Sequence, residues 1–141
     1  MIYIDASSLL KLLFNEPESG AVRAAIAAEV DVRVSSLTRL EAQVQLKACW
    51  LGGEYSKPKY QAYQKKLDSF ADTDPFHFVT LSGSVFDRAI KQDVESGRIH
   101  VRTLDRLHLA ALNELGITRI MTHDARQAAA ARIAGYDVLI P

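Results

Sequence analysis

The chain has 141 residues, of which 48% are hydrophobic and 24% are charged, with 17 basic and 17 acidic residues. This length and composition are typical of one globular domain spanning residues 1–141. A net charge of zero gives no support for nucleic-acid binding through bulk charge, so such a function would need a local patch. The single cysteine, Cys49, excludes an internal disulfide framework and a cysteine-rich zinc site, and we interpret it as a small core residue.

The sequence gives no sign of a membrane or export signal. No basic and apolar leader precedes the first predicted strand, and no apolar run is long enough to span a bilayer. We therefore expect a cytoplasmic protein that has no membrane partner.

The first half of the chain alternates short β-prone runs with helical patterns. IYI predicts a strand that ends at Asp5, and ASSLLKLLF and AVRAAIAAEV predict the first two helices. DVRVSS predicts the second strand. The helix that follows should end at Gly52-Gly53 and bury an apolar stripe formed by Leu37, Leu40, Val44, Ala48 and Leu51.

The second half continues the alternation. KPKYQAYQKKLDSF predicts an amphipathic helix with one apolar face formed by Tyr60, Tyr63, Leu67 and Phe70. FHFVTL predicts a strand and SGSVFDRAIKQDVES a helix. TLDRLHLAALNEL predicts a helix that is apolar on most sides, which should be deeply buried and stop at Gly116. TRIM, DARQAAAARIA and YDVLIP predict a strand, a helix and the last strand.

Strands separated by helices through short connections predict an α/β fold, a three-layer α/β/α sandwich with a mainly parallel central sheet. In such sheets, ligands bind outside the carboxyl ends of the strands, where the strand order reverses. Asp5 and Asp124 each follow a predicted strand and precede a helix, so we expect both on that edge.

Two further carboxylates are expected close to the core. Glu41 lies at the edge of the apolar stripe, and Asp105 shares a helix face with His108, Leu109 and Leu112. Carboxylates are seldom buried without a partner, and no lysine or arginine is an obvious partner for both. Mg²⁺ or Mn²⁺, which prefer hard oxygen ligands, would compensate them. Four carboxylates on one edge should also repel one another and raise each other's pKa in the absence of metal.

Each acidic residue has a structural alternative. Asp5 and Asp124 could be helix N-caps or turn residues, Glu41 could be the solvated edge of its helix, and Asp105 could simply pair with His108. His108 could equally be a packing residue. The joint pattern of four acids favours a functional site over these separate explanations.

Four segments, IDASSLLKLL, SSLTRLEA, RTLDRLHLAAL and MTHDARQAAAARIAGYDVLIP, resemble the PIN-domain family, and more closely the VapC-type ribonuclease toxins of toxin–antitoxin systems. The resemblance covers nearly the whole chain. It implies a PIN-like fold and metal-dependent hydrolysis of RNA, with Mg²⁺ or Mn²⁺ held by Asp5, Glu41, Asp105 and Asp124.

The resemblance also implies supporting residues and partners. Ser7 and Thr122 match small hydroxyl residues that would orient carboxylates or water, although Ser7 could equally cap a helix and Thr122 could equally form a turn. His108 would support the ligands. RNA would contact basic side chains near the motifs, for which Lys11, Arg39, Arg102 and Arg106 are candidates, although a solvated position or a salt bridge is the favoured alternative for any one of them. A homodimer and a small VapB-like antitoxin are expected, and Tyr60, Tyr63, Leu67 and Phe70 could supply part of either contact.

Other functions fit the sequence less well. Receiver domains and haloacid-dehalogenase-type phosphatases also carry aspartates at the edge of a parallel sheet, but the DASS segment lacks both the paired acids and the Asp-x-Asp start. A catalytically inert PIN-like scaffold that binds RNA or protein is the remaining alternative, and the presence of all four acids argues against it.

Overall fold

The computed structural model describes residues 1–141 and contains five strands and seven α-helices. The strands are β1 (Ile2–Ile4), β2 (Val32–Ser35), β3 (Phe76–Val79), β4 (Arg119–Met121) and β5 (Asp137–Leu139). The helices are α1 (Ala6–Leu10), α2 (Ser19–Ala27), α3 (Ser36–Leu51), α4 (Lys57–Ser69), α5 (Ser84–Glu95), α6 (Thr103–Leu115) and α7 (Ala125–Ile133). A short 3₁₀ turn, Phe70–Asp72, follows α4.

The strands form one sheet in the order β3-β2-β1-β4-β5, and every neighbouring pair is parallel. Helices cover both faces, because consecutive residues of β1 point into different cores. Ile2 and Ile4 belong to one apolar cluster and Tyr3 to the other. The predicted α/β/α sandwich is therefore confirmed.

The strand order reverses beside β1, the central strand. The chain runs outward from β1 to β2 and β3, and later returns to place β4 on the other side of β1. The two strands remain joined at their carboxyl ends, where the Asp5 backbone amide donates to the Met121 carbonyl at 3.2 Å. This is the position at which open α/β sheets form a ligand crevice.

Helix α3 packs on a different face from the predicted one. Its buried residues are Thr38, Ala42, Leu46 and Cys49, whereas Leu40 and Val44 are each 60% exposed. The Thr38 hydroxyl donates to the carbonyl oxygen of Ile4 at 3.0 Å, which fixes the orientation of this face against the sheet. The predicted stripe is therefore wrong, although Cys49 is buried as expected.

The apolar face of helix α4 packs against the core of the chain. Leu67 and Phe70 lie in the core, and Tyr60 and Tyr63 pack against it. Tyr60 also stacks on Trp50, with ring centroids 4.8 Å apart. Leu67 and Phe70 are therefore not available to a partner, whereas Tyr60 and Tyr63 are only partly buried and their contact with a partner stays a prediction.

Helix α6 is buried along most of its length, as its composition predicts. Seven of its residues are buried, and Gly116 ends it in the left-handed conformation at φ +64°. A glycine suits this position because a Cβ atom would strain the backbone there. None of the helices combines the length and hydropathy needed to cross a bilayer.

Candidate active site

A cavity of about 640 Å³ opens at the carboxyl edge of the sheet. All four predicted acidic residues line it: Asp5, Glu41, Asp105 and Asp124. Asp5 follows β1, Asp124 follows β4, and the other two come from α3 and α6. One wall is apolar and includes Leu37, Leu40, Val44 and Leu104. Tertiary structure thus brings together four carboxylates that are distant in sequence.

Asp5 is the most enclosed of the four acids. Its Oδ1 atom accepts hydrogen bonds from the Ser7 hydroxyl at 2.7 Å and the Ser8 backbone amide at 3.1 Å. Its Oδ2 atom accepts from the Thr122 hydroxyl. Burial raises the pKa of Asp5 above its usual value, because desolvation of the charge outweighs these hydrogen bonds.

The surroundings of Asp124 shift its pKa in the direction opposite to that of Asp5. Its side chain caps α7 by accepting from the backbone amides of Arg126 and Gln127, and it also accepts from Arg102 at 2.8 Å. Burial opposes its ionisation, but the hydrogen bonds from Arg102 and the two amides outweigh it and place the pKa of Asp124 below the usual value. The expectation that all four acids raise one another's pKa is therefore wrong for Asp124.

Asp5 and Asp124 are both helix caps and cavity residues. The two descriptions are compatible, since a carboxylate that caps with one oxygen keeps lone pairs for another contact. Ser7 joins the two acids: its hydroxyl donates to Asp5 and accepts from the backbone amide of Asp124 at 3.1 Å. The capping alternative is correct as local geometry, and it does not account for the shared cavity.

Asp105 pairs with Arg102, for which the sequence left open RNA contact or a salt bridge. Arg102 donates from Nε and Nη2 to the two Asp105 oxygens over 2.6 and 3.0 Å. The same Nη2 reaches Asp124. The spacing of three residues at the start of a helix was the available signal for this pair.

Glu41 ends a buried chain of polar groups. The Nε2 atom of His108 lies 2.5 Å from a Glu41 oxygen, and its Nδ1 atom lies 2.7 Å from the Tyr3 hydroxyl. Burial raises the pKa of Tyr3. A Tyr3 hydroxyl that donates to Nδ1 leaves Nε2–H to donate to Glu41, which links the three side chains in one direction. Sequence reasoning missed Tyr3; the signal was a tyrosine between two isoleucines in a strand buried on both faces.

The donor set of the cavity fits a hard divalent cation, because carboxylate oxygens are the ligands that Mg²⁺ and Mn²⁺ prefer. In this conformation, however, no group of three or more His, Cys, Asp or Glu side chains is arranged to hold a metal ion. Each carboxylate is engaged by other side chains instead. Metal binding would therefore require rearrangement of at least one of these contacts.

Three of the predicted basic residues lie away from the acids. Lys11 pairs with Glu16 and Glu18, and Arg39 pairs with Asp68. Arg106 is buried and lines a second cavity on the other side of α6. Of the four candidates for RNA contact, only Arg102 lines the acidic cavity.

The PIN domain family model matches residues 2–133, and the chain belongs to this family. The match extends from β1 to α7 and so includes all four acids. It agrees with the parallel sheet and with the position of the cavity at its carboxyl edge.

Within the family, the relatives confirm the resemblance to VapC-type toxins. The chain is 29% identical to ribonuclease VapC46 of Mycobacterium tuberculosis over 142 residues, which cover 99% of this chain and 97% of that protein. The fold is similar to that of Mycobacterium tuberculosis VapC20, a toxin that cleaves the sarcin–ricin loop, with a TM-score of 0.74, 15% identity and full coverage of both chains. It is also similar to VapBC2 of Rickettsia felis bound to promoter DNA, with a TM-score of 0.67, 16% identity, and coverage of 99% and 98%.

Proposed function

We propose that this protein is a Mg²⁺- or Mn²⁺-dependent endoribonuclease and the toxin of a VapBC-like type II toxin–antitoxin system. The observation that carries the proposal is the convergence of Asp5, Glu41, Asp105 and Asp124 on one cavity. It is supported by end-to-end similarity to a protein named as a ribonuclease. A nuclease of this kind would act on RNA in the cytoplasm.

The four carboxylates would have different roles, according to their surroundings. Asp5, Asp105 and Asp124 would hold the metal directly or through water, with Ser7 and Thr122 fixing the orientation of Asp5. When bound, a divalent ion would lower the pKa of a water molecule and offset the negative charge that develops on the phosphodiester.

Glu41 would accept the proton of the attacking water or hold a second ion. Its side chain is 24% exposed and reaches the cavity, whereas the side chain of His108 behind it is 4% exposed. The contact with His108 Nε2 engages one Glu41 oxygen and fixes the carboxylate at the wall of the cavity. This arrangement suits a group that must meet a proton in a defined position.

A cleavage assay on total RNA tests the proposal. Purified protein should cut RNA with Mg²⁺ or Mn²⁺, lose activity in EDTA and regain it when the metal is restored. Asp105→Asn should nearly abolish cleavage because the amide lacks the charge that the metal needs. Asp72→Asn is the matched control, since Asp72 is exposed and lies outside the cavity. Absence of metal-dependent cleavage by pure wild-type protein would favour the inert scaffold, and sequencing of new RNA ends after brief induction would identify the target.

We place the antitoxin contact at the same cavity. Leu40, Val44 and Leu104 are 60%, 60% and 48% exposed and lie beside the acids, so a partner with apolar and basic side chains could cover both. If a small antitoxin gene lies beside this one, its coexpression should yield a complex, and Val44→Asp should weaken that complex. If Val44→Asp binds the antitoxin with unchanged affinity, the contact does not lie at this surface.

We place the homodimer contact on α5. Phe86, Ile90 and Val94 recur every fourth residue and are 59%, 63% and 76% exposed, which leaves an apolar stripe uncovered. Light scattering at micromolar concentration should give a dimer for the wild type and a monomer for Ile90→Lys. A monomeric wild-type protein would contradict the proposed dimer. A dimeric Ile90→Lys variant would show that the dimer forms through a surface other than α5.

A further inference from the structure

Arg102 lies where it can compete with a metal ion. Its guanidinium donates to both oxygens of Asp105 and to one oxygen of Asp124, at 2.6 to 3.0 Å. Two of the proposed ligands are thus already bridged by a cation that belongs to the chain. A divalent ion held between both carboxylates would need the space that the guanidinium occupies.

The burial of the three side chains differs. The side chain of Asp105 is 9% exposed, that of Asp124 is 36% exposed, and that of Arg102 is 42% exposed. Asp105 is anchored within α6 and Asp124 is held as the cap of α7. The guanidinium can therefore rotate into solvent while the carboxylates stay in place.

The pair also serves the fold without metal. A carboxylate as buried as that of Asp105 is costly unless a cation or several donors compensate its charge. Arg102 supplies this charge through a planar fork that matches the carboxylate. Asp5, by contrast, accepts only from hydroxyls and a backbone amide, which can remain in place when an ion binds.

We propose that Arg102 is an internal counterion that a divalent metal ion displaces from Asp105 and Asp124. The inference rests on the metal site proposed above. In the metal-free protein the guanidinium offsets part of the negative charge of Asp105 and Asp124, and in the metal-bound protein it has left both carboxylates. The affinity for the ion is then lower than the carboxylates alone would give, because each binding event must break the contacts of Arg102.

Two measurements that involve no RNA test this exchange. The first follows the arginine Nε–H signals of the wild-type protein by ¹⁵N NMR during a Mg²⁺ titration. The Arg102 signal, assigned by its absence from Arg102→Gln, should move to the position of a solvated arginine. The Arg33 signal is the internal control, because Arg33 forms a similar fork on Asp31 outside the cavity at 2.7 and 2.9 Å. It should not move.

The second measurement compares Mn²⁺ affinities by electron paramagnetic resonance. Arg102→Gln should bind Mn²⁺ about tenfold more tightly than wild type, a difference of about 1.4 kcal/mol. Arg102→Lys should fall between them, because lysine keeps the charge but loses the fork. Arg33→Gln removes the same positive charge elsewhere and should leave the affinity unchanged.

Several results would overturn the proposal. Saturation with Mg²⁺ that leaves the Arg102 signal in place would show that the ion and the guanidinium coexist, and this result does not depend on whether a variant folds. Unchanged or weaker Mn²⁺ binding by Arg102→Gln, equal tightening by Arg33→Gln, or no binding by any protein would also refute it. If exchange occurs but the metal-loaded protein cuts no RNA, the proposed function fails and the exchange stands.

Discussion

The buried chain from Tyr3 through His108 to Glu41 allows a prediction that depends on a single oxygen atom. Tyr3→Phe removes a hydroxyl that lies 2.6 Å from Ser35 Oγ and 2.7 Å from His108 Nδ1. Ser35 keeps its hydrogen bond with the Thr38 backbone amide, and the Thr38 hydroxyl keeps the Ile4 carbonyl, so only Nδ1 of His108 is left without a partner. A buried polar group without a partner costs about 1–3 kcal/mol, and we expect this loss in the free energy of unfolding.

The activity should fall with the stability. Without Tyr3, the imidazole can reorient and release Glu41, and the loss of a residue that orients a metal ligand typically costs about 10–100-fold in affinity or activity. Urea denaturation and single-turnover RNA cleavage would measure the two effects. Tyr136→Phe is the matched control, because its half-buried hydroxyl makes one long hydrogen bond of 3.4 Å to the Leu109 carbonyl. That variant should lose less than about 1 kcal/mol and keep its activity.

A double-mutant cycle separates orientation of Glu41 from general damage to the fold. If Tyr3 acts through His108, adding Tyr3→Phe to a His108→Leu variant should lower the cleavage rate no further. Independent effects that multiply would contradict the proposed chain. So would a Tyr3→Phe protein as stable and as active as Tyr136→Phe.

The remaining predictions concern charge and backbone conformation. Asp5→Asn should raise the metal-free melting temperature at pH 7. The raised folded-state pKa of Asp5 contributes stability that is complete below about pH 4 and is lost as the pH rises. Melting temperatures of the variant and the wild type, measured in EDTA, should therefore diverge between about pH 4 and pH 7. Asp124→Asn should lower the melting temperature, because the depressed pKa of Asp124 contributes stability that is present above about pH 4 and lost below it. A melting-temperature shift of the same sign in both variants would contradict the opposite pKa shifts of Asp5 and Asp124. Gly116→Ala should cost about 1 kcal/mol because φ is +64°, whereas Gly20→Ala, in α2 and without this strain, should not destabilise the fold in urea.

The sequence by itself determined the order of the elements and the fold class. Alternation of short β-prone runs with amphipathic segments is a local signal, and it places every strand and helix near its observed position. The helix ends are also local, because Gly116 needs no distant contact to adopt its conformation. The four acids could be singled out for a related reason: each interrupts or borders an apolar pattern, where a charge is conspicuous.

Only the tertiary structure determined which groups compensate the charges of those four acids. Which face of α3 is buried depends on contacts such as that between Thr38 and Ile4, which are made across 34 positions of sequence. The separation of the pKa values of Asp5 and Asp124 has the same origin, since burial is a property of the assembled sheet and helices. Hydrophobic periodicity reports the average environment of a helix face and contains no information about side chains that arrive from other elements. The bridge that Arg102 makes from Asp105 to Asp124 across the cavity therefore exists only in the folded chain.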